Sequence, residues 1–377
     1  MLKVMTIVGT RPELIKLCRV IVELDAKTTH VLVHTGQNFD YELNQIFFEQ
    51  LQIRRPDEFL NTAAGSPMET IAKLLIQGDA CLARHRPDAV LILGDTNSAL
   101  IAIAAKRRKI PIFHMEAGNR CFDQRVPEEV NRKIVDHLSD INLTYTEHAR
   151  RYLLAEGMRA DTVIKTGSPM SEVIAHYRTA IDASDIVPRL QLQQRKYIVV
   201  SAHREENVDV PGRLAQLVSA VNSLAQEYAM PVIFSVHPRT RQRLAASSLV
   251  LGPQVQALKP LGFLDYARLQ CESFCVVSDS GTVTEESALL GFPAVTIRQA
   301  HERPEGMDEA TVIMCDVSAG DLRDSVRIVT EHAWRDGARF RTPPDYQVDD
   351  VSRKVLRIIV SYVDYIRRTV WSGQAAL

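Results

Sequence analysis

Residues 275–291 read CVVSDSGTVTEESALLG. Cys275–Val277 is a short apolar run bounded by turn chemistry, which predicts a buried strand. Asp279-Ser280-Gly281 makes the turn. Thr282 and Glu285 stand at capping-box spacing, and Gly291 is where a helix would stop. Strand, tight turn and helix together form half of a βαβ unit. The same alternation runs outward in both directions. Apolar runs lie near Leu2–Val8, Val31–His34, Ala89–Leu93, Ile112–His114, Ile141–Leu143 and Val163–Lys165, then Tyr197–Val200, Val232–Val236, Val255–Leu258, Ala294–Ile297 and Val312–Met314. Helix-length amphipathic segments separate them. The runs lack polar alternation, as strands covered on both faces should. The prediction is α/β: two Rossmann-like doubly wound domains with ligand-facing loops at the C-terminal ends of parallel strands.

The totals agree. A chain of 377 residues exceeds one ordinary core, and about 150 residues per domain suggests two. The alternation weakens between Tyr177 and Lys196, a polar, glutamine-rich segment that is the candidate interdomain connection. At 46% hydrophobic and 24% charged, with net charge −1, the chain gives no reason to expect nucleic acid or an anionic membrane as partner. Six scattered cysteines without a CxxC pair suit reduced thiols in a cytoplasmic protein. The apolar segment near the C-terminus carries Arg357, Asp364, Arg367 and Arg368 at helical spacing, which predicts a docked amphipathic helix rather than a membrane span.

The strand ends carry the chemistry. Gly9-Thr10-Arg11-Pro12-Glu13 opens a helix bearing Lys16, and two cations flanking a helix N-terminus suit a phosphate, though a tight turn alone would use the same residues. His34-Thr35-Gly36-Gln37-Asn38 is polar and turn-like. Asp95, in GDTNS, reads equally as a helix cap or a functional acid. After Ile112–Phe113 comes HMEAGNRCFDQRVPEEVNRK, residues 114–133. In it Glu116 sits at the strand end and Glu128 at the next helix start. Two carboxylates reaching one crevice would raise at least one pKa, as acid/base work requires. Glu129 and Lys133 read as a surface pair, Asn131 and Arg132 as a solvated face. In the second half, His203-Arg204 and His237-Pro238-Arg239 follow successive strands. Backbone N–H groups at Ser280, Gly281 and Thr282 are placed to meet a diphosphate, with Glu286 a turn further on to reach a ribose diol.

No two glycines are separated by one residue, so the GxGxxG fingerprint is absent. GK[ST], HExxH, DxD and metal-spaced Cys/His motifs are absent as well. What remains points to a nucleoside diphosphate as handle or leaving group, without metal or nicotinamide.

Together GTRPELIK, GDTNS, HMEAGNRCFDQRVPEEVNR, TGSP, SAHREEN, VHPR, SDSGTVTEESALLGFP and IRQAHERPEG resemble the non-hydrolysing UDP-N-acetylglucosamine 2-epimerase family, from about residue 3 to 315. The resemblance implies a glycosyltransferase-B fold with the active site in the interdomain cleft. It implies domains at 1–178 and 179–354, a helix at about 355–377 completing the first, and a homodimer. It also implies a UDP-sugar substrate and no cofactor. The C2 hydrogen of an N-acetylhexosamine is not next to a carbonyl, so its removal gives no enolate. Without an oxidising cofactor, the route is expulsion of UDP to a glycal, then re-addition.

Carried over position by position, Asp95, Glu116 and Glu128 are the acid/base carboxylates. His203, with Arg204, Arg11 and Lys16, would hold the departing diphosphate. Gln37, His237, Ser280, Gly281, Thr282, Glu286, Arg298 and Arg303 would line the substrate. GQNFDYE, HMEAGNRCFDQRVPEE and DSGTVTEE depart from the commonest family pattern. They look like the branch acting on UDP-2-acetamido-2,6-dideoxy-L-talose to make UDP-N-acetyl-L-fucosamine for capsule or O-antigen. UDP-GlcNAc to UDP-ManNAc epimerisation is the alternative, and a transferase of the same architecture is the competing class.

Overall fold

The computed structural model describes residues 1–36, 45–300, 302–338 and 340–372. They divide into two compact units, Met1–Ala175 with Pro344–Leu377, and His176–Pro343. Unit 1 holds strands β1 (Lys3–Val8), β2 (Thr29–His34), β3 (Glu58–Phe59), β4 (Ala89–Leu93), β5 (Ile112–Met115), β6 (Ile141–Thr144) and β7 (Val163–Lys165). Unit 2 holds β8 (Ile198–Ser201), β9 (Val232–Ser235), β10 (Val255–Leu258), β11 (Cys275–Ser278), β12 (Ala294–Ile297) and β13 (Ile313–Cys315). The sheet orders are β3-β2-β1-β4-β5-β6-β7 and β10-β9-β8-β11-β12-β13, and every pairing is parallel.

The missing polar alternation now has a cause. In β8 and its neighbours Ile198, Val200, Val232, Phe234 and Val277 pack on one face with Leu217, Val221 and Leu224 of the helix Pro211–Tyr228. Tyr197, Val199, Ile233 and Val276 pack on the opposite face with Ile186 and Leu269. Consecutive side chains point to opposite faces, so both must be apolar.

The polar segment from Tyr177 to Lys196 is not a free linker. It contains the end of the helix Met170–Asp182 and a short helix Ile186–Arg189, and Ile186 is in the second unit's core. The unit boundary falls earlier, at 175/176. The last helix, Val351–Thr369, belongs to unit 1 and buries Val355, Ile359, Val363 and Ile366, four residues of one stripe. Arg367 reaches Asp88 at 2.6 Å. Glu172 accepts from the backbone N–H of Ser352 at 2.9 Å and from its hydroxyl. A carboxylate there faces the positive end of that helix. No helix among the described residues is long and apolar enough to cross a membrane.

Strand order reverses between β1 and β4, and again between β8 and β11. Those are the positions where a doubly wound sheet opens a crevice. A buried carboxylate ties the loops at each. In unit 1, Glu13 accepts from Gly9 N (2.5 Å), Thr10 N (3.1 Å) and Thr96 Oγ1 (2.5 Å), so it spans the loops after β1 and β4. Burial pushes its carboxyl up to about 7, against the pull of those donors. In unit 2, Asp279 accepts from His203 N (2.9 Å), Arg204 N (2.9 Å) and Asn207 Nδ2 (3.1 Å), spanning the loops after β11 and β8. Burial opposes its charge, yet the neighbouring His203 and these donors hold it down at about 2.

Two predictions follow from this frame. Glu172→Ala should lower stability by about 1–2 kcal/mol in urea unfolding, since two donors at a helix start lose their acceptor. Glu13 has its folded pKa above the ordinary 4.5, so its contribution is full below pH 4.5 and lost as pH rises through about 7. Stability measured across that window should therefore fall in the native protein by roughly 3 kcal/mol relative to Glu13→Gln. Parallel pH curves for the two proteins would contradict it.

Candidate active site

The site in unit 1 is built on the loops after β1, β4 and β5 and on the helix Pro127–Leu138. β5 ends in His114, whose ring is buried. Its Nε2 lies 2.8 Å from the carbonyl oxygen of Gly94, and its Nδ1 lies 2.9 Å from Asp136. Asp136, fully buried, also accepts from Gly118 N at 3.2 Å and from Arg120 at 2.7 Å. Burial works against its charge, but His114 and Arg120 keep its carboxyl below the ordinary value. Arg120 in turn grips Glu156 with two donors at 2.8 and 2.6 Å.

This network holds a turn that the backbone would not otherwise take. Glu116 sits at φ +62° and Gly118 at φ +80°. A left-handed glutamate costs on the order of 1–2 kcal/mol and persists only where its surroundings enforce it. At Gly118 a Cβ would come within 2.5 Å of the backbone oxygen of Ala149, so only glycine fits.

The turn delivers the Glu116 carboxylate to Lys16. The ammonium stands 2.7 and 2.6 Å from its two oxygens, and Asn119 Nδ2 donates at 3.4 Å. The charge of Lys16 is therefore directed at Glu116 rather than left for a phosphate, because the helix start it belongs to packs against the turn after β5. Arg11 lies over the Phe47 ring at 5.8 Å. Asp95 is no helix cap. The following 3-10 helix is preceded by Thr96, and the Asp95 carboxylate is held by Arg132, with Nε at 2.9 Å and Nη2 at 2.5 Å. Asn131 donates to the Asp95 carbonyl at 3.0 Å. Glu128 is four residues before Arg132, on the same helix face, half-buried and without an ion-pair partner among the described residues. Asp95 and Glu116 thus end the loops after β4 and β5, each beside a buried cation, and Glu128 lies in the first turn of the helix that follows.

Several expectations change here. Glu129 and Lys133 do pair, at 3.8 Å, but only the lysine end is at the surface. Glu129 is fully buried, accepts from Cys121 N (3.0 Å) and Phe122 N (3.3 Å), and meets Arg132 at 3.1 Å. Arg132 is buried rather than solvated, because it bridges Asp95 and Glu129. Gln37 lies outside the described residues.

In unit 2 the residues expected to meet a diphosphate lie on the loops after β8, β9, β11 and β12. Beyond β8, His203 Nδ1 lies 3.1 Å from Asp279, and its ring is 5.7 Å from that of His237. His237 Nδ1 accepts from Arg239 N at 3.3 Å. After β12, Arg298 is buried and donates to Glu302 at 3.1 Å, and Arg204 reaches the same oxygen at 3.7 Å. A methyl group at Gly281 would lie 3.8 Å from Arg204 Nη2 and 3.8 Å from Arg298 Nη1. Two guanidinium groups therefore converge on the glycine turn after β11 with the Glu302 carboxylate between them, a donor arrangement that suits a diphosphate.

The turn itself differs in detail from the expected capping box. Thr282 makes no side-chain cap. Its N–H donates to Ser280 Oγ at 3.4 Å, and the Ser280 N–H donates to Ser278 Oγ at 3.0 Å. Glu285 turns inward instead, fully buried, 3.5 Å from Arg303. Glu286 is half-buried and accepts from Gln270 Nε2 at 2.8 Å.

Neither Glu13 nor Asp279 stood out in the sequence as a site residue. The one available signal for Glu13 was its position three residues after Thr10. For Asp279 it was the placement of an acid directly at a strand end.

Comparison with known proteins gives these sites a setting. The sequence model for UDP-N-acetylglucosamine 2-epimerase matches residues 22–360. A solved UDP-N-acetylglucosamine 2-epimerase from Rickettsia bellii is 52% identical over 98% of this chain and 99% of its own, with a TM-score of 0.91. The Methanocaldococcus jannaschii UDP-GlcNAc 2-epimerase, solved in complex with UDP-GlcNAc and UDP, is 30% identical over 96% of this chain and 100% of its own, with a TM-score of 0.89. A Pseudomonas aeruginosa UDP-2,3-diacetamido-2,3-dideoxy-D-glucuronate 2-epimerase is 35% identical, covering 86% of this chain and 90% of that protein. With two doubly wound parallel sheets and a match over most of its length, the chain belongs to the UDP-N-acetylglucosamine 2-epimerase family.

Proposed function

We propose that the protein is an isomerase that inverts C2 of a UDP-2-acetamido sugar. The carrying observation is the pairing of Asp95 with Arg132 and Glu116 with Lys16 on one rim. A carboxylate takes the C2 proton, the C–H electron pair becomes the C1=C2 bond of a glycal, and the C1–O bond breaks with its electrons leaving on UDP. Protonation of C2 from the opposite face and return of UDP to C1 complete the inversion. His203, Arg204 and Arg298 suit the departing diphosphate, since charge that develops on leaving is met by two guanidinium groups and an imidazole already held in place by Glu302 and Asp279. Glu286 is assigned to the ribose.

We further propose UDP-2-acetamido-2,6-dideoxy-L-talose as the sugar. The support is the loop Asn119–Val126, which departs from the commonest family sequence and is anchored through Cys121 and Phe122 to Glu129 beside the carboxylates. UDP-GlcNAc is the second reading, favoured by the names of the Rickettsia and Methanocaldococcus relatives.

Incubation of both nucleotide sugars in D2O, followed by NMR, separates the readings. Deuterium at C2 with no acceptor present is the expected outcome. Incorporation into the talose derivative alone fixes the sugar, whereas incorporation into UDP-GlcNAc alone rejects that assignment. No uptake from either would reject the epimerase reading. Asp95→Asn and Glu116→Gln should each lower kcat by about 100-fold or more while leaving KM within a few-fold. Near-normal turnover in both variants would remove these residues from the chemistry.

A further inference from the structure

Away from both candidate sites, at the outer edge of the unit 1 sheet, Glu58, Cys81 and His85 each offer a donor atom, and these atoms lie within 4.8 Å of one another. Cys81 and His85 are four residues apart in the last turn of the helix Pro67–His85, so they share one helix face. Glu58 comes from β3, the edge strand, two strands from the β1–β4 reversal. We infer that Cys81 Sγ, His85 Nε2 and a Glu58 oxygen form a binding site for one zinc-like divalent cation, with solvent as fourth ligand.

The donor set suits the ion. Thiolate, imidazole and carboxylate are zinc's usual ligands, and three protein donors with an open position make a recognised tetrahedral arrangement. Donors bound to one tetrahedral zinc stand about 3.3–3.7 Å apart, so a cluster within 4.8 Å needs only small side-chain adjustment. His85 Nε2 already lies 2.6 Å from Glu58 Oε1, and the ion would replace that contact.

The surroundings fit as well. Arg84 Nη2 holds the other Glu58 oxygen at 2.5 Å, which is the outer hydrogen bond that orients a ligating carboxylate. Two anionic ligands neutralise a divalent ion. Arg84, and Lys3 on the His85 carbonyl at 2.6 Å, would therefore face an uncharged centre. Metal binding breaks the S–H bond, the electron pair forms the metal–sulfur bond, and the proton leaves to solvent.

An ion-paired anchor for the edge strand would use Glu58, Arg84 and His85, with the Cys81 thiol donating to Glu58 as S–H. Only a metal needs the thiolate, and that difference is what the experiment reads. Full-length protein stripped with a chelator is titrated with Co2+ alone, then with Zn2+. The expected result is a thiolate-to-cobalt charge-transfer band saturating at one equivalent and quenched by Zn2+, with Zn2+ raising the melting temperature. Cys81→Ser should abolish the band, and His85→Ala should weaken Co2+ binding by at least tenfold. Cys271→Ser, at a half-buried thiol elsewhere, should retain it. Circular dichroism confirms that each variant is folded. No band in the native protein, or an unchanged band in Cys81→Ser, would overturn the inference. Catalysis is not the readout, so failure here is independent of the epimerase assignment.

Discussion

In each half of the molecule one buried carboxylate stitches together the loops on either side of the strand-order reversal. Glu13 does this across β1 and β4, Asp279 across β8 and β11. A parallel sheet leaves its C-terminal edge as a row of separate loops, and packing of the apolar strands says nothing about how those loops meet. Backbone N–H groups at such a turn need acceptors, and a carboxylate supplies several at once. The two solutions differ in charge state. Asp279 faces His203 and is held ionised, whereas Glu13 is pushed up to about 7 by burial. The first therefore contributes a fixed negative charge beneath the loop that carries His203 and Arg204, and holds that loop in place.

The carboxylates assigned to proton transfer are set up differently. Asp95 and Glu116 are each beside a cation that is itself buried, Arg132 and Lys16. Those cations must be matched: removing a partner from a buried ion pair costs more than the pair is worth intact. His114, Asp136 and Arg120 form the layer underneath and hold the turn at Glu116. Geometry at the rim is thus maintained by charge complementarity two layers deep.

The strand pattern was open to reading because strands buried on both faces leave continuous apolar runs such as Ile198–Val200 and Cys275–Val277. β3 was not: Glu58–Phe59 is two residues long with one charged side chain. Glu128 and Glu116 were visible as acids at element ends. Arg132 and Glu129 were misread as surface residues because helical spacing alone cannot tell a solvated face from one covered by a neighbouring loop. Lys16 looked like a phosphate ligand for a similar reason. Its sequence neighbours are a helix start, while its spatial neighbour, Glu116, lies a hundred positions away.

The helix Val351–Thr369 has a consequence for how the chain assembles. Unit 2 is one uninterrupted segment, His176–Pro343, but unit 1 waits for Pro344–Leu377 to return to it. During synthesis the second half can therefore condense as soon as it emerges, while the first half lacks the helix whose apolar stripe packs on it until residues made much later arrive. Contacts of such long sequence separation form slowly. The half bearing Asp95 and Glu116 is in this sense the last to mature, and the interval before its closing helix docks is when the nascent protein is most exposed to aggregation.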